Sequence, residues 1–177
     1  MDGYMNMNEE QYKEKALKIR LLLTDVDGVL TDNGVYYGEH GEVLKRFSIR
    51  DGMGVERLRK LCDIDTGIVT GEWSPSVARR AEKLQIKELH LGVKDKAGRL
   101  EEIVAKTGIG WESIAFIGDD VNDLDVLKRV GLSACPADAM PDVSRIVDYR
   151  CRVKGGDGAF REFAEWIIAM RSTIDNH

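Results

Sequence analysis

The chain has 177 residues, of which 43% are hydrophobic and 32% charged, and its formal net charge is −5. This length suits a single domain with one hydrophobic core. The acidic balance excludes the basic surface used to bind nucleic acid, and no apolar run approaches the roughly 20 residues that span a bilayer. The polar stretch 1–18 is not built like a signal peptide, so we expect a cytoplasmic protein with no nucleic-acid or membrane partner.

The first part of the chain predicts a tail, a strand and a hairpin. Residues 1–18 have only a weak apolar stripe and predict an N-terminal tail or a frayed helix. The apolar run 19–24 ends abruptly in acids and glycine, which is typical of a buried parallel strand. Residues 34–49 then predict a protruding β-hairpin that turns at 39–41.

Strands and helices alternate through the rest of the chain. Helices are predicted at 55–61, 76–84, 97–105, 122–130 and 160–171, and strands at 66–70, 88–91, 114–117, 132–135 and 146–149. This alternation predicts an α/β fold with a doubly wound, Rossmann-like parallel sheet. No linker or internal repeat is visible, so residues 19–177 are expected to form one domain.

Polar side chains follow three of the predicted strands. They are Asp25 and Asp27 after 19–24, Thr70 and Gly71 after 66–70, and Asp119 and Asp120 after 114–117. Sites in open α/β sheets lie at the carboxyl ends of strands, so these groups are expected to converge, with Lys96 adding a positive charge. Carboxylates suit Mg²⁺, and the hydroxyl and ammonium groups suit phosphate oxygens. The set therefore predicts a magnesium and phosphoryl site.

The spacing of Asp25 and Asp27 predicts covalent catalysis. One residue separates them, so both side chains can point into the same crevice. One carboxylate can attack phosphorus, while the other protonates the leaving oxygen and later activates water. Gly28 allows a tight turn beside the ligand. Either acid alone would equally suit a turn, so the whole combination carries the prediction.

In order, the segments Asp25–Asp32, Val69–Gly71, Lys96 and Gly118–Asp123 resemble the four motifs of the haloacid dehalogenase superfamily. The resemblance implies that Asp25 is the nucleophile and Asp27 the acid/base. It implies that Asp25, Asp27 and Asp119 bind the metal, and that Thr70, Gly71 and Lys96 bind phosphate. Asp120 and Asp123 would orient these groups, and the second acid implies phosphoryl transfer.

Many members of that superfamily carry a cap domain after the first or second motif, but this chain has no room for one. Asp27 and Thr70 are separated by one hairpin, one helix and one strand, and Thr70 and Lys96 by one helix and one strand. The crevice is therefore open unless another subunit covers it. The edges of the hairpin can pair between subunits, and the segment 154–161 can reach a neighbouring site. The alternative for both segments is ordinary packing within their own domain.

The hairpin, the Arg50-Asp51-Gly52 segment and the glycine-rich segment 154–161 resemble one capless, tetrameric branch, the 3-deoxy-D-manno-octulosonate 8-phosphate phosphatases. The resemblance implies a homotetramer whose C-terminal segment reaches a neighbouring active site. It also implies hydrolysis of a sugar-acid phosphate in lipopolysaccharide biosynthesis. The residues that it implies for sugar binding are Ser48, Ile49, Arg50, Asp51, Gly52, Glu72, Arg80 and Arg161.

Glu56 and Glu72 depart from that branch, which commonly has Arg at both positions. An acid would repel a sugar-acid carboxylate, so Glu72 is expected to meet hydroxyls, an amine or Lys83. A glutamate at position 72 resembles phosphatases of nine-carbon 2-keto-3-deoxy-nonulosonate 9-phosphates. The Arg50–Gly52 segment favours the eight-carbon substrate, and the nine-carbon substrate remains an alternative.

Two non-catalytic classes share part of this pattern. A receiver-like signalling domain also combines acids, Thr and Lys, but its phosphorylated Asp and its acid pair lie on different strands. A regulatory subunit of the same fold would be favoured if the nucleophile were missing, yet Asp25 is present with its partners. A phosphomutase would require a sugar diphosphate. A magnesium-dependent phosphatase is the favoured interpretation.

Overall fold

The computed structural model describes residues 8–172, so part of the predicted N-terminal tail (1–7) and the last five residues (173–177) lie outside the described region. The strands, in chain order, are β1 (Leu21–Thr24), β2 (Thr31–Gly38), β3 (Gly41–Phe47), β4 (Asp65–Val69), β5 (Glu88–His90), β6 (Ile114–Ile117), β7 (Leu132–Cys135) and β8 (Tyr149–Arg150). The helices are α1 (Glu9–Lys18), α2 (Ile49–Cys62), α3 (Pro75–Lys83), α4 (Lys96–Thr107), α5 (Leu124–Leu127), α6 (Pro141–Ser144) and α7 (Ala159–Ser172). Short 3₁₀ turns occupy Trp111–Ser113 and Val121–Asp123.

A parallel sheet with the strand order β5-β4-β1-β6-β7-β8 forms the centre of the molecule. β1 pairs in parallel with both β4 and β6, so Leu22 lies opposite Thr66 on one side and Ala115 on the other. The chain first winds outward from β1 to β5, then returns to β6 and winds the other way. Open α/β sheets bind ligands where the winding reverses, here between β1 and β6. The predicted doubly wound fold is confirmed.

Two apolar layers cover the two faces of the sheet. Consecutive residues of a strand point to opposite sides, so they belong to different layers. Leu22 belongs to the layer that contains Phe160 and Phe163 of α7. Leu23, its neighbour in β1, belongs to the layer that contains Leu100 of α4 and Phe116 of β6. All four residues of β1 are buried, as expected for a strand covered by helices on both faces.

Strands β2 and β3 form a separate antiparallel hairpin in which Tyr36 pairs with Leu44 and Gly38 with Gly41. Its outer part leaves large apolar side chains in solvent; Tyr37 is 74% exposed and Val43 is 60% exposed. The protruding hairpin predicted from the sequence is therefore confirmed. Every residue from 25 to 119 lies within the described region, and this stretch contains the hairpin but no cap domain.

Several elements differ from their predicted bounds, as the following three show. Helix α2 begins at Ile49 instead of residue 55, because the Ser48 side chain accepts a hydrogen bond from the backbone of Arg50 and caps the helix. The predicted helix 122–130 is a 3₁₀ turn followed by the single turn of α5. The predicted strand 146–149 is the shorter β8, which begins at Tyr149.

Helix α1 begins with a capping box at Asn8. The Asn8 side chain accepts a hydrogen bond from the backbone N–H of Gln11, and the Gln11 side chain accepts one from the backbone N–H of Asn8. Helix α1 packs on α7, and the rings of Tyr12 and Trp166 meet edge to face with centroids 5.6 Å apart. Over residues 9–18 the predicted tail or frayed helix is thus a docked helix. Among residues 8–172, no helix combines the length and apolarity needed to cross a bilayer.

Candidate active site

A crevice of about 170 Å³ opens at the carboxyl ends of β1, β4 and β6. Its walls contain the side chains or backbone of Asp25, Asp27, Asn33, Thr70, Gly71, Glu72, Asp119, Asp120 and Asn122. The fold therefore brings together the acids, the threonine and the glycine that follow the three predicted strands. Lys96 lies beside them, with its ammonium against Asp25.

Asp25 is the first residue after β1 and is only 5% exposed. Its backbone N–H donates to the carbonyl of Ile117 at 3.0 Å, which continues the pairing of β1 with β6 past the end of the strand. Its Oδ1 accepts from the N–H of Val26 at 2.7 Å. Burial raises the pKa of Asp25 and nearby Asp123 raises it further, while the Lys96 ammonium and the Val26 N–H oppose this rise.

Lys96 opens α4 and is 3% exposed. Its Nζ lies 2.6 Å from Oδ1 of Asp123 and 3.1 Å from Oδ2 of Asp25. Burial alone lowers the pKa of this lysine, but the two carboxylates outweigh it and hold the pKa above its ordinary value. Lys96 therefore carries a positive charge next to the carboxylate of Asp25.

Asp119 follows β6 and is 7% exposed. Burial raises its pKa to about 7; a hydrogen bond from Asn33 opposes the rise, and the neighbouring Asp123 adds to it. The Nδ2 of Asn33 donates to Oδ2 of Asp119 at 3.3 Å. Gly28 is needed opposite this carboxylate, because it has φ +84° and a Cβ there would overlap Oδ2 of Asp119.

Asp25, Asp119 and Asp123 each offer a carboxylate oxygen, and these oxygens lie within 4.8 Å of one another. Asp123 is fully buried; its Oδ1 accepts from Lys96 and its Oδ2 from the N–H of Asp119 at 3.1 Å. Crowded carboxylates in a buried place suit a hard divalent cation that prefers oxygen ligands. The site can therefore hold such a cation, with Asp25 and Asp119 facing the crevice and Asp123 fixed behind them.

Asp27 also lines the crevice, but its carboxylate lies outside this group of three acids. Its side chain is 25% exposed, and Oδ1 accepts a hydrogen bond from Nζ of Lys45 at 2.6 Å. Its predicted roles as acid/base and metal ligand stay predictions. One residue separates Asp25 and Asp27, yet each is paired with its own lysine.

Thr70 and Gly71 form the wall that follows β4. The backbone N–H of Thr70 donates to His90 at 3.0 Å, and the Nζ of Lys94 donates to the carbonyl of Gly71 at 3.0 Å. Glu72 continues this wall, with Oε1 3.8 Å from the same lysine. The charged neighbour of Glu72 is thus Lys94, and the expectation of Lys83 in this place was wrong.

The other residues predicted to bind the sugar lie elsewhere in the described chain. Ser48, Asp51 and Arg80 line a separate cavity of about 10 Å³. The Nη2 of Arg80 donates to the carbonyl of Ser48 at 2.8 Å, and Oδ1 of Asp51 accepts from the N–H of Arg161 at 2.9 Å. These contacts join α2, α3 and α7. Of the predicted sugar-binding residues, only Glu72 lines the crevice in this chain.

The remaining members of this set are spread around the start of α2. Gly52 lies against Arg80, and a Cβ there would be 2.9 Å from its Nη2. Ile49 is 86% exposed and Arg50 is also exposed. The Nε of Arg161 lies 2.7 Å from Glu165 one turn further along α7. The predicted role of these residues in sugar binding stays a prediction.

The glycine-rich segment 154–161 consists of a packed loop and the first residues of α7. The N–H of Gly156 donates to the carbonyl of Val29 at 3.0 Å, and a Cβ on Gly155 would overlap the carbonyl of Gly28. Arg46 of the hairpin contacts Asp157 at 3.2 Å. These residues thus pack within their own domain, the alternative that the sequence left open, and they support the turn that carries the acid pair.

The sequence interpretation missed Asn33, Asn122 and Lys45. Asn33 has φ 65°, a left-handed conformation that asparagine tolerates better than most residues, and the dipeptide Asn33-Gly34 is a turn signal in the sequence. Asn122 lines the crevice beside Asp120. Lys45 is buried between exposed neighbours on β3, and strand alternation alone gives no reason to select it.

The order of these groups along a capless doubly wound sheet defines the class, a haloacid dehalogenase-like hydrolase that acts on phosphate esters. The family model described as haloacid dehalogenase-like hydrolase matches residues 78–162. Over 161 residues the chain is 40% identical to the 3-deoxy-D-manno-octulosonate 8-phosphate phosphatase of Escherichia coli K12, covering 91% of this chain and 85% of that protein. The chain belongs to the family of these phosphatases.

Solved structures agree with this membership. The phosphatase of the same name from Yersinia pestis superposes with a TM-score of 0.88 at 39% identity, covering 94% of this chain and 90% of that one. The enzyme from Moraxella catarrhalis, solved with magnesium, phosphate and KDO, gives a TM-score of 0.87 at 34% identity, with 97% and 96% covered. The resemblance and the phosphatase class predicted from the sequence are confirmed.

Proposed function

We propose that this chain hydrolyses 3-deoxy-D-manno-octulosonate 8-phosphate to the free sugar acid and phosphate, with Mg²⁺ as cofactor. The carrying observation is the group of carboxylate oxygens from Asp25, Asp119 and Asp123, within 4.8 Å of one another at the crevice. The family relatives that bear this activity in their names support the substrate, and the magnesium complex of the Moraxella protein supports the metal.

In the proposed reaction, a carboxylate oxygen of Asp25 attacks phosphorus and the bond to the ester oxygen breaks. Asp27 gives its proton to that oxygen, and then takes a proton from the water that hydrolyses the aspartyl phosphate. The Thr70 hydroxyl and Lys96 balance charge on the phosphoryl oxygens. Mg²⁺, held by Asp25 and Asp119 with Asp27 as a further predicted ligand, would supply positive charge for the phosphate.

The test is phosphate release from the eight-carbon and nine-carbon sugar-acid phosphates, each with Mg²⁺ and with EDTA. We expect kcat/KM to be at least about tenfold higher for the eight-carbon substrate, and EDTA to abolish turnover. A preference for the nine-carbon substrate would replace the proposed substrate. Stable phosphorylation without turnover would instead support the receiver-like alternative, and no activity with intact folding would support the regulatory one.

Glu72 favours the nine-carbon 2-keto-3-deoxy-nonulosonate 9-phosphate as the second candidate. It lines the crevice, and its neighbour Lys94 is 81% exposed and unable to cancel its charge fully. A carboxylate there suits hydroxyls or an amine better than a sugar-acid carboxylate. Glu72→Arg is expected to move the ratio of kcat/KM toward the eight-carbon substrate. An unchanged ratio would remove Glu72 from the choice of substrate.

The assembly that we propose is a homotetramer in which neighbouring copies cover the open crevice. Support comes from the exposed apolar side chains of the hairpin, where Tyr36 is 61% and Tyr37 74% exposed. Contact of the segment 154–161 with a neighbouring active site, and the cytoplasmic location, stay predictions. Light scattering tests the assembly, and a monomer at assay concentration would contradict it.

A further inference from the structure

We propose that Lys45 is a positioning residue, which holds the carboxylate of Asp27 in the orientation needed to protonate the leaving oxygen. The proposal rests on the acid/base role of Asp27 in the proposed function. Lys45 belongs to β3 of the hairpin, 18 residues away from Asp27 in sequence. Its Nζ nevertheless lies 2.6 Å from Oδ1 of Asp27, at the edge of the crevice.

Lys45 is itself held tightly. Its side chain is 1% exposed, and its Nζ also lies 3.5 Å from Oε2 of Glu42, three residues earlier on the same strand. Glu42 in turn accepts a short hydrogen bond from the hydroxyl of Ser74. Ser74 is 1% exposed and caps α3 by accepting from the N–H of Val77 at 3.4 Å. The chain from Asp27 to Ser74 thus joins the acid to the hairpin and to the loop that follows Thr70.

The ammonium of Lys45 lies between two carboxylates, those of Asp27 and Glu42, and the three groups form a largely buried ion-pair cluster. A buried ion pair contributes little net stability compared with apolar residues of similar volume. Orientation therefore explains this lysine better than stability does, and orientation is what Asp27 requires.

Each of the two neighbouring acids, Asp25 and Asp27, is paired with a different lysine. Lys96 holds Asp25 from the side of α4, whereas Lys45 holds Asp27 from the side of the hairpin. Without Lys45, the carboxylate of Asp27 would be free to turn toward the group formed by Asp25 and Asp119. A general acid must stay within about 2.6–3.2 Å of the oxygen that it protonates, so such turning would cost rate in that step.

The experiment compares Lys45→Met with Lys60→Met on an alkyl phosphate and on p-nitrophenyl phosphate. Lys60 is an exposed lysine on α2, outside the crevice, and serves as the matched control. Breaking the phosphorus–oxygen bond of an alkyl phosphate needs protonation of a poor leaving group, whereas p-nitrophenolate leaves without help. For Lys45→Met we expect kcat/KM to fall on the order of a hundredfold with the alkyl ester and less than about fivefold with the aryl ester.

Further measurements separate positioning from folding. Circular dichroism and thermal unfolding establish whether Lys45→Met is folded, and Lys45→Arg is expected to recover much of the alkyl-ester rate because its guanidinium can still donate to Asp27. If Lys45→Met does not fold, Lys45→Gln takes its place, because its amide can still donate to Glu42 whereas its shorter, neutral side chain brings no ammonium to Asp27. Equal losses on both esters, or no loss on either, in the folded variant would overturn the proposal.

Asp27→Asn distinguishes failure of this proposal from failure of the proposed function. Its loss is expected to be larger for the alkyl ester, as for Lys45→Met. If Asp27→Asn shows no such difference, the acid/base role of Asp27 is wrong and the proposal for Lys45 falls with it. If Asp27→Asn shows the difference and the folded Lys45 variant does not, only the positioning role is wrong.

Discussion

The Nζ of Lys96 lies 3.1 Å from Oδ2 of Asp25, and both side chains are almost completely removed from solvent. The same ammonium lies 2.6 Å from Asp123, so one positive charge is shared between two carboxylates, with a third, Asp119, nearby. Negative charge therefore exceeds positive charge in a buried place. This excess has measurable consequences for metal binding, for stability and for activity.

Mg²⁺ is expected to raise the thermal stability of the protein. Free Mg²⁺ at a hundred times its dissociation constant should stabilise the folded state by about 2.7 kcal/mol. Because burial raises the pKa of Asp119 to about 7, binding must displace a proton, and the stabilisation should increase between pH 6 and pH 8. Thermal unfolding with and without Mg²⁺ measures this effect. Asp119→Asn should lose it and the remote Asp142→Asn should keep it; equal shifts in both variants would contradict the assignment.

Asp25→Asn is expected to have opposite effects on activity and stability. Phosphate release should fall at least about a thousandfold, because the amide is a poor nucleophile. The unfolding temperature of the metal-free protein should not fall, because the substitution removes a carboxylate that is unfavourable in its charged form. Burial and the neighbouring Asp123 both raise the pKa of this group. Phosphate release and thermal unfolding on the same preparation test both statements. Full activity in the folded variant would disprove the mechanism.

Lys96→Met is expected to destabilise the metal-free protein by about 3–5 kcal/mol, because it leaves Asp25 and Asp123 without their buried cation. Mg²⁺ should recover part of this loss by supplying positive charge to the same carboxylates. Lys106→Met is the matched control on α4; this lysine is 67% exposed and pairs with Glu88, so its loss should cost less than about 1 kcal/mol. Urea unfolding with and without Mg²⁺ measures both losses of stability. Similar losses in Lys96→Met and Lys106→Met would refute the prediction.

Asp51 is expected to make stability fall as the pH rises from about 4 to about 6. Burial raises its pKa from 3.8 to about 6, while the N–H of Arg161 and the charge of Arg80 oppose the rise. In that window the unfolded chain loses the proton that the folded chain keeps, so the contribution of Asp51 to the free energy of unfolding drops by up to about 3 kcal/mol and is level above pH 6. Asp51→Asn should remove this contribution and leave the shallower slope that Asp25 and Asp119 produce up to about pH 7. Urea unfolding from pH 4 to pH 7 measures it, and parallel curves for the two proteins would contradict the prediction.

Gly155→Ala is expected to destabilise the protein by more than about 2 kcal/mol and to lower activity, because its Cβ would overlap the carbonyl of Gly28 in the turn after the acid pair. Backbone lies on both sides of this contact, so neither atom can move away cheaply. Gly110→Ala is a suitable control, since the atoms nearest its Cβ belong to the flexible carboxylate end of Glu112. Thermal unfolding and phosphate release should separate the two variants; equal stability would show that the loop can shift.

Local sequence patterns predicted much of the fold and the residues at the strand ends that line the crevice. The run 19–24 is short, apolar and ended by acids, and this alone indicated a buried strand with Asp25 and Asp27 at its carboxyl end. Since parallel strands of one sheet end at a common edge, the residues after 66–70 and 114–117 were expected beside them. The crevice contains these residues.

The tertiary structure decided which charged groups meet, because long side chains choose partners through the folding of distant segments. Lys45 and Asp27 belong to different elements, and only the docking of the hairpin brings them to 2.6 Å. In the same way α2, α3 and α7 gather Ser48, Arg80 and Arg161 away from the crevice. Hydrophobic periodicity involves only residues that are close in sequence, so it can be recognised from the sequence alone. A buried ion pair depends on where two distant elements pack against each other, and local sequence patterns do not predict that contact.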